Sequence, residues 1–154
     1  MNRSAIIFTL LASIATSATA ARIADNQAFD AYPNAPFEQV SINDGMATLM
    51  AVKGHDGLLH HVVSLQDDGH CNGHTATTLG TTTIKFNHVR VDVTQACSTA
   101  GTLYLSPVDA LNEDTAAAII HNSQYVTVAG APVGNAVFNV EAYGQTLNNF
   151  GLAD

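Results

Sequence analysis

The sequence predicts an α+β domain that is mostly antiparallel β, a meander or sandwich-like sheet with one helix near residues 106–121 and a short C-terminal helix. Three observations predict it. Short runs of alternating apolar and β-branched residues recur between turn signals from Phe37 to Leu105. From Ser106 to Asn122 the pattern becomes helical, with a start signal, acids early and a histidine late. Strand signals precede the helix instead of alternating with it, which points to α+β and away from a parallel βαβ sheet.

The elements follow in order. Phe37 to Ile42 reads as a strand, Asn43-Asp44-Gly45 as a tight turn and Met46 to Lys53 as the returning strand. Gly54-His55-Asp56-Gly57 turns the chain into Leu58 to Leu65, completing a three-stranded meander. Gln66 to Gly80 is polar and irregular. Thr81 to Val93 reads as one strand whose alternation slips at Asn87-His88, the mark of a β-bulge. Thr102 to Leu105 is a short strand. Ser106-Pro107-Val108-Asp109 places a capping hydroxyl before a proline at the first helical position, and Asn122 closes the helix. Val108, Leu111, Ala118 and Ile119 can share its buried face. Gln124 to Ala129 and Ala136 to Tyr143 form a hairpin across residues 130–134. A terminal helix, Gln145 to Phe150, lays Leu147 and Phe150 on the core.

The first twenty residues carry an address. Arg3 is followed by an apolar run from Ala5 to Ala15 and by a small-residue cleavage site, Ala18-Thr19-Ala20. That order is a signal peptide cleaved after Ala20, since the run is too short to span a bilayer. Residues 21–36, with Pro33, Asn34 and Pro36, read as an extended lead-in, leaving 37–154 as a single β-rich domain in the periplasm or outside the cell. The whole chain carries a net charge of −8, and losing Arg3 with the leader makes it more negative. A nucleic-acid partner is disfavoured, because such affinity comes largely from Lys and Arg displacing phosphate counterions. No later apolar stretch is long enough for the mature chain to insert in a membrane.

The two cysteines, Cys71 and Cys97, permit one intramolecular disulfide, the pairing an oxidising compartment favours. Free thiols, an intermolecular bridge and metal ligation are the other readings. Five of the seven histidines fall between residues 55 and 74, beside Asp67, Asp68 and Cys71. His60 and His61 are adjacent on a strand and so point to opposite faces, where they cannot both serve one mononuclear site. If the following loop folds back over the hairpin, His70, His74 and one of His60 or His61 converge, with Asp67 or Asp68 as oxygen ligand, in a set suited to zinc or copper. A disulfide at Cys71 removes the thiolate donor. The competing reading is a group of exposed turn and strand-edge histidines with no cofactor. No nucleophile elbow, EF-hand, Walker loop or dinucleotide fingerprint occurs. The threonines at 75, 77 and 81–83 are accounted for by strand propensity.

In the C-terminal half, Cys97-x-x-x-Gly101, the Ser106 to His121 helix, the Val126 to Val140 strand pair and Tyr143-Gly144-Gln145-Thr146-Leu147 carry a resemblance. Over about the last sixty residues the chain resembles the periplasmic invasion-associated locus B family. It departs from that pattern at Thr102, where a second cysteine is expected after the glycine. The resemblance implies a small exported β-rich protein without an established catalytic site. The expectation is therefore an exported, non-enzymatic binding or envelope-associated protein with a protein or small-molecule ligand. The alternative is an exported zinc- or copper-binding protein using the 55–74 histidine cluster.

Overall fold

A computed structural model describes residues 35–54, 56–66, 69–71, 76–149 and 151. The expected leader and most of the lead-in lie outside these residues. Eight strands form one antiparallel sheet: β1 Phe37–Val40, β2 Ala47–Lys53, β3 Leu59–Gln66, β4 Thr77–Phe86, β5 Val89–Cys97, β6 Thr102–Pro107, β7 Tyr125–Gly130 and β8 Gly134–Asn139. Two helices accompany them among the described residues, α1 Ala110–His121 and α2 Tyr143–Asn149. The strand order is β1-β2-β3-β6-β5-β4-β7-β8. The α+β, mostly antiparallel class and the opening meander are as the sequence predicts.

The sheet curves until its two ends nearly meet. Just after β1, the Ile42 amide donates to the Val137 carbonyl of β8 at 2.8 Å. The Asn43 side chain donates to the Asn135 carbonyl at 2.7 Å and accepts from the Val137 amide at 2.9 Å. One residue thus stands in for a short stretch of strand. The inward positions follow the two-residue strand period. Ala47, Leu49 and Ala51 lie opposite Leu65, Val63 and His61. The apolar members join Ile84, Phe86, Val91, Val93, Leu103, Leu105, Val126, Val128, Ala136 and Phe138 in one core. The helices add Ala116, Ile120, Tyr143 and Leu147 to that core.

Several local expectations change. Thr81 to Val93 is two strands, not one bulged strand: Asn87 and His88 form a two-residue turn between Phe86 and Val89. Asn87 takes a left-handed backbone (φ 54°), which asparagine tolerates better than most residues. The register shift lies instead between Thr78 and Gly80, inside a stretch expected to be irregular. Ser106 and Pro107 belong to β6, opposite Thr94 and Val93, and not to the helix. Proline is accommodated because β3 pairs with β6 only as far as Leu105, so Pro107 sits where β6 has a single neighbour. The helix cap is Asp109, whose carboxylate accepts the Asn112 amide at 2.8 Å. Asn122 ends the helix, as expected.

The buried face of α1 is also rotated from the expected one. Ala116 and Ile120 are buried, whereas Leu111 is 74% exposed. β8 ends at Asn139, and Tyr143 opens α2 instead of closing a strand. Leu147 is buried as expected, while Phe150 lies outside the described residues.

Candidate functional site

The expected disulfide is present: the sulfurs of Cys71 and Cys97 lie 2.11 Å apart, with Cα atoms 5.4 Å apart. Among the described residues, a dense group of ionisable side chains lies elsewhere, where β3 meets α1 and α2. It begins in the turn before β3. There the Gly54 amide donates to the Leu58 carbonyl at 2.8 Å, and the Leu58 amide donates to Asp56 Oδ1 at 3.0 Å. Asp56 is thereby held beside His60, whose Nε2 lies 3.2 and 3.1 Å from its two oxygens. A Cβ at Gly54 would come within 2.5 Å of Asp56 Oδ1 and 2.7 Å of the His60 ring, so only glycine leaves room for the pair.

Glu113 enters from the first turn of α1. It stands on the same stripe as Ala116 and Ile120, three and seven residues on, and is therefore carried to the sheet by the packing of the helix. β6 has already left β3 at this level, since their register stops at Val63 opposite Leu105. Glu113 takes the missing strand's place by accepting the His61 backbone amide on Oε1 at 2.9 Å. Because the carboxylate sits at the strand edge, rings from both sides of β3 reach it. His61 Nδ1 lies 2.5 Å from Oε1, and His60 Nδ1 lies 3.7 Å from Oε2. The strict opposition expected for adjacent strand histidines is correct for the backbone and is overcome at the ring tips by this edge position.

Hydrogen-bond chemistry fixes the protonation. An ionised carboxylate only accepts, so His61 Nδ1 donates to Glu113. In the neutral ring Nε2 then accepts the Tyr143 hydroxyl, with which it makes a short contact. The Tyr143 ring is held by an edge-on contact with Phe37, centroids 5.1 Å apart at 89°. His60 has a carboxylate at each nitrogen, an arrangement suited to the imidazolium form. The Glu113 carboxylate raises the His60 pKa above its usual range, burial opposes this, and Asp56 adds to the rise.

Burial works against ionising Glu113, but His60 and His61 outweigh it and hold the carboxyl below its usual range. Burial likewise opposes ionisation of Asp56 and is outweighed by the Leu58 amide and His60. At 3.7 Å the contact of Oε2 with His60 is one of charge, too long for a hydrogen bond, and Oε2 is buried without a hydrogen-bond partner. Burial, with the charge of Glu113 adding to it, pushes the Tyr143 phenol well above its ordinary value.

The result is a chain of proton-bearing groups, Asp56, His60, Glu113, His61 and Tyr143, running from an exposed turn into the core. Tyr143 and His61 are each 3% exposed. Tyr143 and His61 are buried and engaged with each other, and the cluster joins β3, α1 and α2.

The metal set expected from the sequence is not brought together among the described residues. His60 and His61 have protein partners at both ring nitrogens. His70 lies near the other end of β3, because Cys71 is bonded to Cys97, Cys97 lies opposite Leu103, and Leu103 lies opposite Leu65. Four residues of strand, roughly 13 Å, separate Leu65 from His61. His74, Asp67, Asp68 and His55 lie outside the described residues. No group of three His, Cys, Asp or Glu side chains among the described residues is placed to hold a metal ion.

Sequence reasoning missed Glu113, Tyr143 and the role of Asp56. The available signal was an acid spaced three and seven residues before the small apolar pair of α1. Comparison with known proteins finds no matching family, no matching characterised protein and no matching solved structure.

Proposed function

We propose that the protein is an exported, non-enzymatic binding or envelope-associated domain whose partner is a protein or small molecule. The observation that carries this reading is the internal saturation of the acid–base constellation among the described residues: Asp56, His60, Glu113, His61 and Tyr143 engage one another and serve to brace the fold. Support for export comes from the Cys71–Cys97 pair, which suits an oxidising compartment. No helix among the described residues is long and apolar enough to cross a membrane. The exposed surface carries apolar residues around the turn from β1 to β2, where Val40 is 46%, Ile42 58% and Met46 60% exposed, a patch suited to contact with another molecule.

Expression of the full chain in a Gram-negative host tests the proposal. The expected product is a periplasmic protein beginning at Ala21 and lacking titratable thiols. A cytosolic product with its leader intact and two free thiols would overturn the export reading. Turnover of any substrate in a broad hydrolase and oxidoreductase panel, lost on His61→Phe, would overturn the non-enzymatic one. Stoichiometric zinc or copper in the purified chain, lost in a His70→Ala/His74→Ala variant, would favour a metal-binding protein instead.

A further inference from the structure

Among the described residues, several sheet edges left open by a departing strand are closed by side chains or loop amides. Beyond the end of β6, Glu113 takes the His61 amide. Along β5, Asn112 accepts the Asp92 amide at 2.8 Å and the Asp92 carbonyl accepts the Val108 amide at 3.0 Å. On β7, Asn87 accepts the Thr127 amide at 2.9 Å and donates its own amide to the Thr127 carbonyl. On β8, Asn43 and Ile42 do the same for Asn135 and Val137.

The outer edge of β4 departs from this habit. β4 pairs with β5 from Thr77 to Phe86, but with β7 only at Lys85 and Phe86. β7 turns away at Gly130 (φ 124°), where an added Cβ would lie 3.4 Å from the Thr83 carbonyl. From Thr77 to Thr82 the edge facing away from β5 has no strand, loop or side chain closing it among the described residues. Thr77, Thr78, Leu79, Gly80 and Thr81 are all exposed. The two-residue turn at Asn87-His88 sets the alternation of the hairpin, so Thr81 and Thr83, like Lys85, direct their backbone groups outward. Six residues of strand, roughly 20 Å, are thus presented without the lysine, proline or inward charge that usually guards such an edge.

We propose that this edge pairs antiparallel with the same edge of a second copy of the chain, continuing the sheet across a two-fold axis. Two features select a second copy. Between Thr77 and Ile84 the strand carries no charge, in a chain whose net charge is −8, so this is a stretch where two copies meet without opposing like charges. Five of the seven residues from Thr77 to Thr83 are threonine. Antiparallel pairing about Thr81, whose amide and carbonyl point outward, sets Thr81 opposite the Thr81 of the second copy, the kind of cross-strand pair that stabilises a ladder, and Thr82 opposite Gly80. A two-fold contact must be its own complement, and this edge is. A single strand-to-strand seam is small, so the dimer is weak and its population depends on concentration.

The test is sedimentation of the full chain from low micromolar to sub-millimolar concentration, with hydrogen exchange read at single amides. The expected result is a reversible monomer–dimer equilibrium in which exchange at Thr81 slows as dimer forms. Thr81→Lys, at an exposed side chain, should weaken dimerisation about tenfold or more, and Thr81→Pro, which removes the outward amide, should do the same. Unchanged exchange of the Cys97 and Val63 amides in both variants establishes that the monomer fold is intact. A chain that stays monomeric throughout overturns the proposal. So does a dimer that forms with Thr81 exchange unchanged, or one that both variants leave intact.

Discussion

Glu113 does two jobs with one carboxylate: Oε1 accepts the His61 backbone amide at the edge of β3 and also accepts the His61 ring N–H. Its side chain is only 15% exposed, and its removal leaves the His61 amide and ring without their acceptor and His60 with one carboxylate instead of two. Glu113→Ala is therefore expected to lower stability by about 2–4 kcal/mol, read as a fall in the urea midpoint at constant slope. The pH dependence follows from the same contacts. His60 is more basic when folded, so its contribution is complete below its ordinary value of 6.5 and is lost as pH rises through the raised one. Glu113 is more acidic when folded, so its contribution is complete above 4.5 and is lost as pH falls through the lowered one. Asp56, His61 and Tyr143 are the other titratable groups facing this pair. The urea midpoint should be highest between pH 4.5 and 6.5 and decline on either side, and Glu113→Gln should flatten both limbs. A midpoint that climbs steadily from about pH 5 to about pH 8 would contradict the assignment of His60 as the imidazolium.

The hairpin β4–β5 and the helix α1 show what was legible in the chain and what was not. Alternation located most of the strands to within a few residues, because one face of each must be buried and the side-chain period is two. It also registered the break at Asn87, but a phase slip looks the same in sequence whether the chain bulges or reverses. Only the pairing of Ile84 with Val91 distinguishes the two. The start of α1 was misplaced for a related reason. Ser106-Pro107 is a good helix opening in isolation, and the ladder from β6 to β5 outcompetes it. Asp109, next in line, takes over as cap, and Asp109→Ala should cost about 1 kcal/mol, measured as a shift in the urea midpoint with helical circular dichroism retained in the folded state. The site was less legible than the fold. Two of its histidines could be picked out by their number and adjacency, whereas Glu113 and Tyr143 lie 52 and 82 residues from His61. Their meeting depends on where the sheet curves and where β6 ends, which no local pattern encodes.

At the scale of the molecule, the chain closes its sheet from both directions. Asn43 and Ile42 draw β8 onto the end of β1, and Cys71 ties the loop after β3 to the last residue of β5. The bridge spans 26 residues, so in the chain-entropy picture it stabilises by about 3–4 kcal/mol. Thermal or urea unfolding of a Cys71→Ala/Cys97→Ala variant should show most of that loss, with the pH dependence around Glu113 unchanged because the bridge and the cluster lie towards opposite ends of β3. The position of Glu113 also bears on conformational uniqueness. Helix α1 carries a second apolar arc, Leu111, Ala118 and Ile119, which would serve as well as Ala116 and Ile120 if burying hydrocarbon were the only requirement. Rolling the helix onto that arc would carry Glu113 off the edge of β3 and strand the His61 amide in the interior. The carboxylate acts in this way as a key against the wrong rotation. It raises the energy of a competing packing more than it lowers that of the native one, so the chain has one helix phase where its apolar residues alone allow two.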